Sequence, residues 1–156
     1  MDAKLERDDA SPRPRDRAFM QVDVFSTEPM GGNPLAVVLD AEGLSTRTMQ
    51  AFADWTNLSE TTFLLPPDGP QADYRVRIFS PGRELPFAGH PTLGSCFAWL
   101  TSGGRPRGED IVQQCEAGLV RIRASGERLA FAAPPRLRSG PLDEAELELI
   151  ARGLGV

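Results

Sequence analysis

The sequence feature that most restricts the fold is the segment 91–101, "PTLGSCFAWLT", which has the composition of a helix that is apolar nearly all round. A helix on a protein surface carries one apolar stripe, whereas a helix that is apolar on every side is buried. Strand-like segments precede and follow it. The sequence therefore predicts an α+β fold in which a mixed curved sheet or barrel wraps around this central helix. We expect Phe97 and Leu100 to be well buried.

The surrounding strands are indicated by alternation and by β-branched residues. Strands are predicted over 18–25, 35–40, 60–66, 73–80, 110–115, 119–124 and 128–132. In the fourth of these, one face carries Tyr74, Val76 and Ile78, and the other carries Arg75, Arg77 and Phe79.

Two further helices are indicated by their capping residues. Ser45 is expected to cap a helix over 46–56. Asp143 is followed three residues later by Glu146, a capping-box spacing, at the start of a helix over about 143–153.

Composition excludes several classes of function. The net charge of −5 and the pI of about 4.9 argue against a nucleic-acid partner. No apolar run is long enough to span a membrane. Residues 1–17 lack the apolar core of a secretory signal and are predicted to be a disordered charged tail. We therefore expect a cytoplasmic protein in which Cys96 and Cys115 are reduced, structural thiols without metal-ligand spacing, and we expect no metal.

The only histidine, His90, stands between Gly89 and Pro91 at the start of the apolar helix. Proline suits the first helical position, and the N–H groups that follow are unpaired, so this end of the helix can hold a carboxylate. A histidine there can form a hydrogen bond or shuttle a proton. Gly89 and Gly94 would let a ligand approach the backbone. A histidine that only caps a turn would leave the same pattern.

A second candidate group is Glu60, which opens an otherwise apolar strand directly after a helix. A partly desolvated carboxylate in such a place can act as a general base and later as a general acid. The alternative is a solvated carboxylate at a strand end. The stretch 30–37, "MGGNPLAV", could line a ligand pocket through its glycines and Asn33, or could form an ordinary hairpin turn.

Four stretches, taken in order, resemble the PhzF-like family of phenazine-biosynthesis isomerases. They are "VDVFSTEPMGGNPLAVVLDAEGLS" (22–45), "NLSETTFLL" (57–65), "YRVRIFSP" (74–81) and "ELPFAGHPTLGS" (84–95). The resemblance implies a fold like that of diaminopimelate epimerase and cofactor-independent proton transfer on a small cyclic or amino-acid-like carboxylic acid. It implies that Glu60 is the acid/base and that His90 assists. It also implies substrate contacts at Asn33, Ser59, Gly89, Pro91, Thr92 and Gly94.

Family members are considerably longer, and their second half supplies an aspartate and a second glycine-rich helix mouth. The resemblance thus implies that 18–140 is an N-terminal domain and that 141–156 leads toward a second domain absent from this chain. A small carboxylate substrate is expected, with either a homodimer or a chain that supplies the second half. The alternatives are a non-catalytic small-molecule-binding or scaffold module and an amino-acid epimerase or racemase. Related epimerases place a catalytic thiol where this chain has Ala88, which disfavours two-thiol racemisation.

Overall fold

The computed structural model describes residues 15–126, 128–133 and 138–156. Its strands and helices follow in the order β1 (Phe19–Val24), β2 (Asn33–Val38), α1 (Thr46–Thr56), β3 (Glu60–Leu65), β4 (Tyr74–Ser80), β5 (Arg83–Leu85), α2 (Gly89–Thr101), β6 (Ile111–Cys115), β7 (Gly118–Ser125), β8 (Arg128–Phe131) and α3 (Glu144–Leu154). The predicted strands and helices are confirmed to within a few residues. The short strand β5 was not predicted.

One mixed sheet contains all the strands. Its order is β1-β2-β3-β4-β6-β7-β8, with β5 attached to β4. Two neighbouring pairs are parallel, β2 with β3 and β4 with β6, and the others are antiparallel. A parallel pair needs a crossover connection, and α1 supplies it between β2 and β3.

The sheet curls around α2. This helix contacts β1, β2 and β3 at one end of the sheet and β8 at the other, which a flat sheet of this order would not permit. Among the described residues β1 and β8 do not pair, so the sheet is a half-barrel and not a closed one. The α+β class and the central helix are therefore confirmed.

The core inside the curl is apolar, as the strand pattern predicted. Tyr74, Val76 and Ile78 of β4 all belong to the cluster that packs around Cys96 and Ala98 of α2. Phe79 points to the other side, where it joins a second cluster beneath α1 with Met49 and Ala53.

Two expectations about α2 were wrong. Phe97 is half exposed and Leu100 is only partly buried, because the open sheet leaves one stripe of the helix uncovered. The helix also begins at Gly89, so Pro91 is its third residue and not its first.

The structure describes less of the amino end of the chain than of its carboxyl end. The predicted tail falls largely on residues 1–14, outside the described residues. Arg15 donates to the carboxylate of Asp40, and Arg17 donates to its carbonyl oxygen. Residues before Ala18 therefore contact the folded domain. At the other end, α3 has the predicted capping box between Asp143 and Glu146. No helix in the described part of the chain has the length and apolar character needed to cross a membrane.

Candidate functional site

The candidate site lies where three chain segments begin. Asn33 is the first residue of β2, and Glu60 is the first residue of β3. These strands are parallel neighbours, with Leu35 paired to Glu60, so their amino ends lie at one edge of the sheet. The amino end of α2 meets this edge, and His90 is the second residue of the helix. Residues distant in sequence thus converge because of the parallel crossover.

His90 joins the two strands through both ring nitrogens. Its Nδ1 lies 2.9 Å from Glu60 Oε2, and its Nε2 lies 2.9 Å from the carbonyl oxygen of Asn33. A carbonyl oxygen only accepts, so Nε2 carries a proton. The remaining hydrogen bond holds one proton, which belongs either to an imidazolium facing a carboxylate or to a carboxyl group facing a neutral imidazole. Glu60 and His90 therefore form a pair that shares one transferable proton.

The pair is mostly shielded from water but can still be reached by a ligand. The side chain of His90 is 8% exposed and that of Glu60 is 19% exposed. Shielding from water strengthens hydrogen bonds between charged groups. The remaining exposure leaves the carboxyl group within reach of a ligand.

The amino end of α2 has no side-chain cap. Ala88 is the N-cap residue, in an extended conformation, and its methyl group cannot accept a hydrogen bond. Thr92 N–H donates to the carbonyl of Ala88, and Pro91 has no N–H. The N–H groups of Gly89 and His90 have no acceptor within the helix, and they lie at the positive end of its dipole. This is a suitable place for one carboxylate.

A buried chain of hydrogen bonds fixes this helix end. Tyr74 Oη donates to Gln113 Oε1, Gln113 Nε2 donates to Thr92 Oγ1, and Thr92 Oγ1 donates to the Ala88 carbonyl. Burial raises the pKa of Tyr74 well above its ordinary value, so the phenol keeps the proton that it donates. Thr92 is fully buried. Its contacts position the helix, where the sequence had indicated contact with a substrate.

The two glycines of this segment serve packing. A Cβ on Gly94 would lie 2.5 Å from Leu35 Cδ2 and 2.8 Å from Val24 Cγ2, so the glycine lets α2 press against β1 and β2. A Cβ on Gly89 would lie 3.0 Å from Phe131 Cζ. At both positions the missing Cβ makes room for a neighbouring side chain, and contact of a ligand with the glycine backbone stays a prediction.

The other predicted substrate contacts fall into two groups. Ser59 is exposed directly before Glu60, and Asn33 is half-buried with its carbonyl bound to His90. Both stand at the edge that carries the pair. Pro91 is buried in the first turn of α2, where it contributes shape and no donor.

Sequence reasoning missed Phe25, which follows β1. Its ring centroid is 5.9 Å from that of His90, at an interplanar angle of 43°. Its backbone has φ of +73°, a conformation that bulky residues rarely adopt. Neither the contact nor the backbone conformation has a signal in the letters of the sequence.

The cysteines are unsuited to nucleophilic work. Burial raises the pKa of Cys96 to about 12, and burial also raises the pKa of Cys115. Both therefore remain thiols near neutral pH. Within the described residues, no three or more His, Cys, Asp or Glu side chains are grouped to hold a metal ion.

A large cavity lies away from the pair of Glu60 and His90. It measures about 810 Å³ and sits between α1 and the outer face of β1 and β2. Phe19, Phe52 and Trp55 line it, with Arg15 and Arg17 at its rim. The described residues that line it include no carboxylate or imidazole, whereas Glu60 contacts His90 of α2 on the opposite side of the sheet.

Comparisons with known proteins find relatives of this chain. A family model described as "Phenazine biosynthesis-like protein" (PhzC-PhzF) matches residues 22–133. An uncharacterized isomerase of Mesorhizobium japonicum is 50% identical over 143 residues, which are 90% of this chain and 47% of that protein. The trans-2,3-dihydro-3-hydroxyanthranilate isomerase of Pseudomonas aeruginosa is 50% identical over 80 residues, which are 51% of this chain and 28% of that enzyme.

A solved structure shares the fold. The crystal structure of the Bacillus anthracis phenazine biosynthesis protein, PhzF family, matches with a TM-score of 0.62 and 34% identity, covering 67% of this chain and 34% of that one. This chain spans less than half the length of the relatives named here.

Proposed function

This chain belongs to the phenazine biosynthesis-like protein family, and from that premise we propose that it takes part in the isomerisation of a small carboxylic acid by cofactor-independent proton transfer. The observation that carries the proposal is the hydrogen-bonded line Glu60–His90–Asn33 at the uncapped end of α2. The named isomerases among the relatives support the reaction class.

Glu60 is the proposed base and acid. When the shared proton is on His90, Glu60 is a carboxylate. Its Oε1, which takes no part in the hydrogen bond to the imidazole, can then accept a proton from the substrate. A substrate C–H bond breaks, an O–H bond forms on Glu60, and the electron pair remains in the conjugated system of the substrate. Return of the proton to a different carbon completes an isomerisation, with no net oxidation or reduction.

His90 is the proposed partner of that carboxylate. The Asn33 carbonyl holds Nε2 as the protonated nitrogen, so Nδ1 always faces Glu60. An imidazolium there stabilises the carboxylate before proton abstraction, and the shared proton lets the charge on the pair adjust as the reaction proceeds.

The substrate carboxylate is proposed to bind the N–H groups of Gly89 and His90. A carboxylate at this place would accept two backbone hydrogen bonds and interact with the helix dipole. It would also hold the reacting carbon beside Glu60, since His90 belongs to both the helix end and the pair.

We further propose that a complete site needs a second wall from another segment or another chain. The side chain of Glu60 remains 19% exposed in the described part of the chain. Proton transfer from carbon is faster where the reacting groups are held in place and water is excluded.

The test is deuterium incorporation in heavy water, measured by NMR on the protein as its gene encodes it. The first substrate to try is trans-2,3-dihydro-3-hydroxyanthranilate, for which the P. aeruginosa relative is named. Glu60→Gln keeps the shape of the side chain but cannot take up a proton, so the rate should fall about 10²–10⁴-fold. The matched control is Glu109→Gln, an exposed carboxylate whose loss should leave the rate unchanged.

Retention of near wild-type exchange by Glu60→Gln would place the base elsewhere. For the 156-residue chain alone, we expect binding of the carboxylate without exchange. Full exchange by this chain as a monomer would contradict the need for a second wall. Binding with no exchange in any form of the protein would favour a small-molecule-binding module.

A further inference from the structure

The exposed ring of Phe25 stands beside the proposed catalytic pair. Its centroid lies 5.9 Å from that of His90, yet the residue is 70% exposed. An aromatic ring that packs for stability is normally covered, since the hydrophobic effect scales with the area removed from water. The exposed area of Phe25 thus contributes little to folding.

The backbone of Phe25 adds a second unfavourable contribution. Its φ of +73° lies in the left-handed region, which is strained for a side chain of this size. A glycine would adopt this conformation freely. Strain of this kind concentrates at active sites and ligand clamps.

The loop that carries Phe25 is folded back by its own backbone contacts. Gly31 N–H donates to the carboxylate of Asp23 and to the carbonyl of Glu28, which folds the β1–β2 connection back on itself. Gly32 is required there, because a Cβ would lie 2.1 Å from the Val24 carbonyl oxygen. The same connection delivers Asn33 to His90.

We infer that Phe25 is a specificity-determining residue, whose ring face stacks on a planar, unsaturated ring of the substrate while the amino end of α2 holds the carboxylate. This inference rests on the proposed function, since the ring is useful only if a ligand sits at Glu60 and His90. Aromatic rings stack favourably on other flat, conjugated surfaces, and a saturated ring offers no such surface.

Two carboxylates, one with a flat unsaturated ring and one with a saturated ring, test the inference. Benzoate and cyclohexanecarboxylate carry the same charge and a six-membered ring. Binding to the 156-residue chain is followed by the imidazole NMR signals of His90, which are unambiguous because the chain has one histidine. Benzoate should bind about two- to tenfold more tightly than cyclohexanecarboxylate, the range expected for one aromatic pair.

Three variants separate stacking from structure. Phe25→Leu keeps an apolar side chain without an aromatic face, and Phe25→Gly removes the side chain and the strain. Both should lose the preference for benzoate, and Phe25→Gly should unfold at an equal or higher urea concentration than wild type. The matched control is Met30→Gly, on the same loop, because Met30 has φ of +63° and is 95% exposed. Met30→Gly should relieve comparable backbone strain and keep the preference for benzoate over cyclohexanecarboxylate.

The failures are distinguishable. If both probes bind wild type equally, or if Phe25→Leu keeps the preference, the inference fails and the carboxylate site stands. If neither probe binds, the proposed carboxylate site fails and the inference fails with it. If Phe25→Gly unfolds at clearly lower urea, the ring has a structural role and the inference is overturned.

Discussion

Helices α1 and α2 both follow a strand of the same sheet, but their amino ends are built in opposite ways. In α1 the hydroxyl of Ser45 accepts the N–H of Thr48, which satisfies one donor of the first turn with a side chain. In α2 the N-cap is Ala88, which has no group that can do this. The first turn of α1 therefore has a side-chain cap, whereas the first turn of α2, which contains His90 and lies beside Glu60, has none.

The start of α2 lacks a side-chain cap, yet hydrogen bonds from neighbouring side chains hold it in position. The carbonyl of Ala88 receives the buried chain of hydrogen bonds from Tyr74, Gln113 and Thr92. The helix end is thus ordered without using its N–H groups. In α1 the order comes instead from a side-chain cap, which takes up the N–H of Thr48.

The largest effect should come from the close packing of α2. Gly94→Ala would bring a Cβ to 2.5 Å from Leu35 Cδ2, so we expect the free energy of unfolding to fall by about 1–3 kcal/mol. Urea denaturation measures this. Gly153→Ala, in α3, is the matched control, since its Cβ would meet nothing within 4 Å and should raise helix stability by about 0.5–1 kcal/mol. Equal effects at the two glycines would show that α2 tolerates a shift away from the sheet.

Capping α2 should close the proposed carboxylate site. In Ala88→Asn the side-chain oxygen can accept a first-turn N–H, and Ala88→Asp adds a negative charge. We expect the affinity for benzoate to fall about tenfold for Asp, or about 1.4 kcal/mol, and by less for Asn. Isothermal titration or NMR measures the change. Unchanged affinity in both variants would place the carboxylate away from this helix end.

The smallest effect should come from removing the cap of α1. Ser45→Ala should lower the free energy of unfolding by about 1 kcal/mol and leave benzoate affinity unchanged, because the helix lies on the other face of the sheet. Ser45→Asp restores the acceptor and should recover the stability. A change in ligand affinity on losing this cap would link the two helix ends and weaken the contrast between them.

The fold could be predicted from the sequence because local patterns determine most of it. The alternation in β4 and the capping residues Ser45 and Asp143 each indicated an element that the structure contains. The exposure of Phe97 could not be predicted, because it depends on the sheet staying open at one side. No local signal specifies whether the two ends of a sheet meet.

The candidate site was only partly accessible from the sequence. Residue type and position singled out Glu60 and His90, and the structure places them in one hydrogen bond. Thr92 and Gly94 stood in the same motif, yet their roles depend on what packs against them, which is Gln113 in one case and Leu35 in the other. Those partners come from strands distant in sequence, so motif membership could not separate contact with a ligand from support of the helix.

The contact between Gly89 and Phe131 connects the site to an edge strand of the sheet. Among the described strands β8 pairs only with β7, and Phe131 is its final residue. Edge strands open locally more often than central ones, on a timescale accessible to hydrogen exchange. Each such opening would withdraw the ring from the first residue of α2 while Glu60, on a central strand, stays in place. The amide protons of β8 and of the first turn of α2 should therefore exchange together, and faster than those of β3, which would let the two proposed hydrogen-bond donors fluctuate independently of the proposed base.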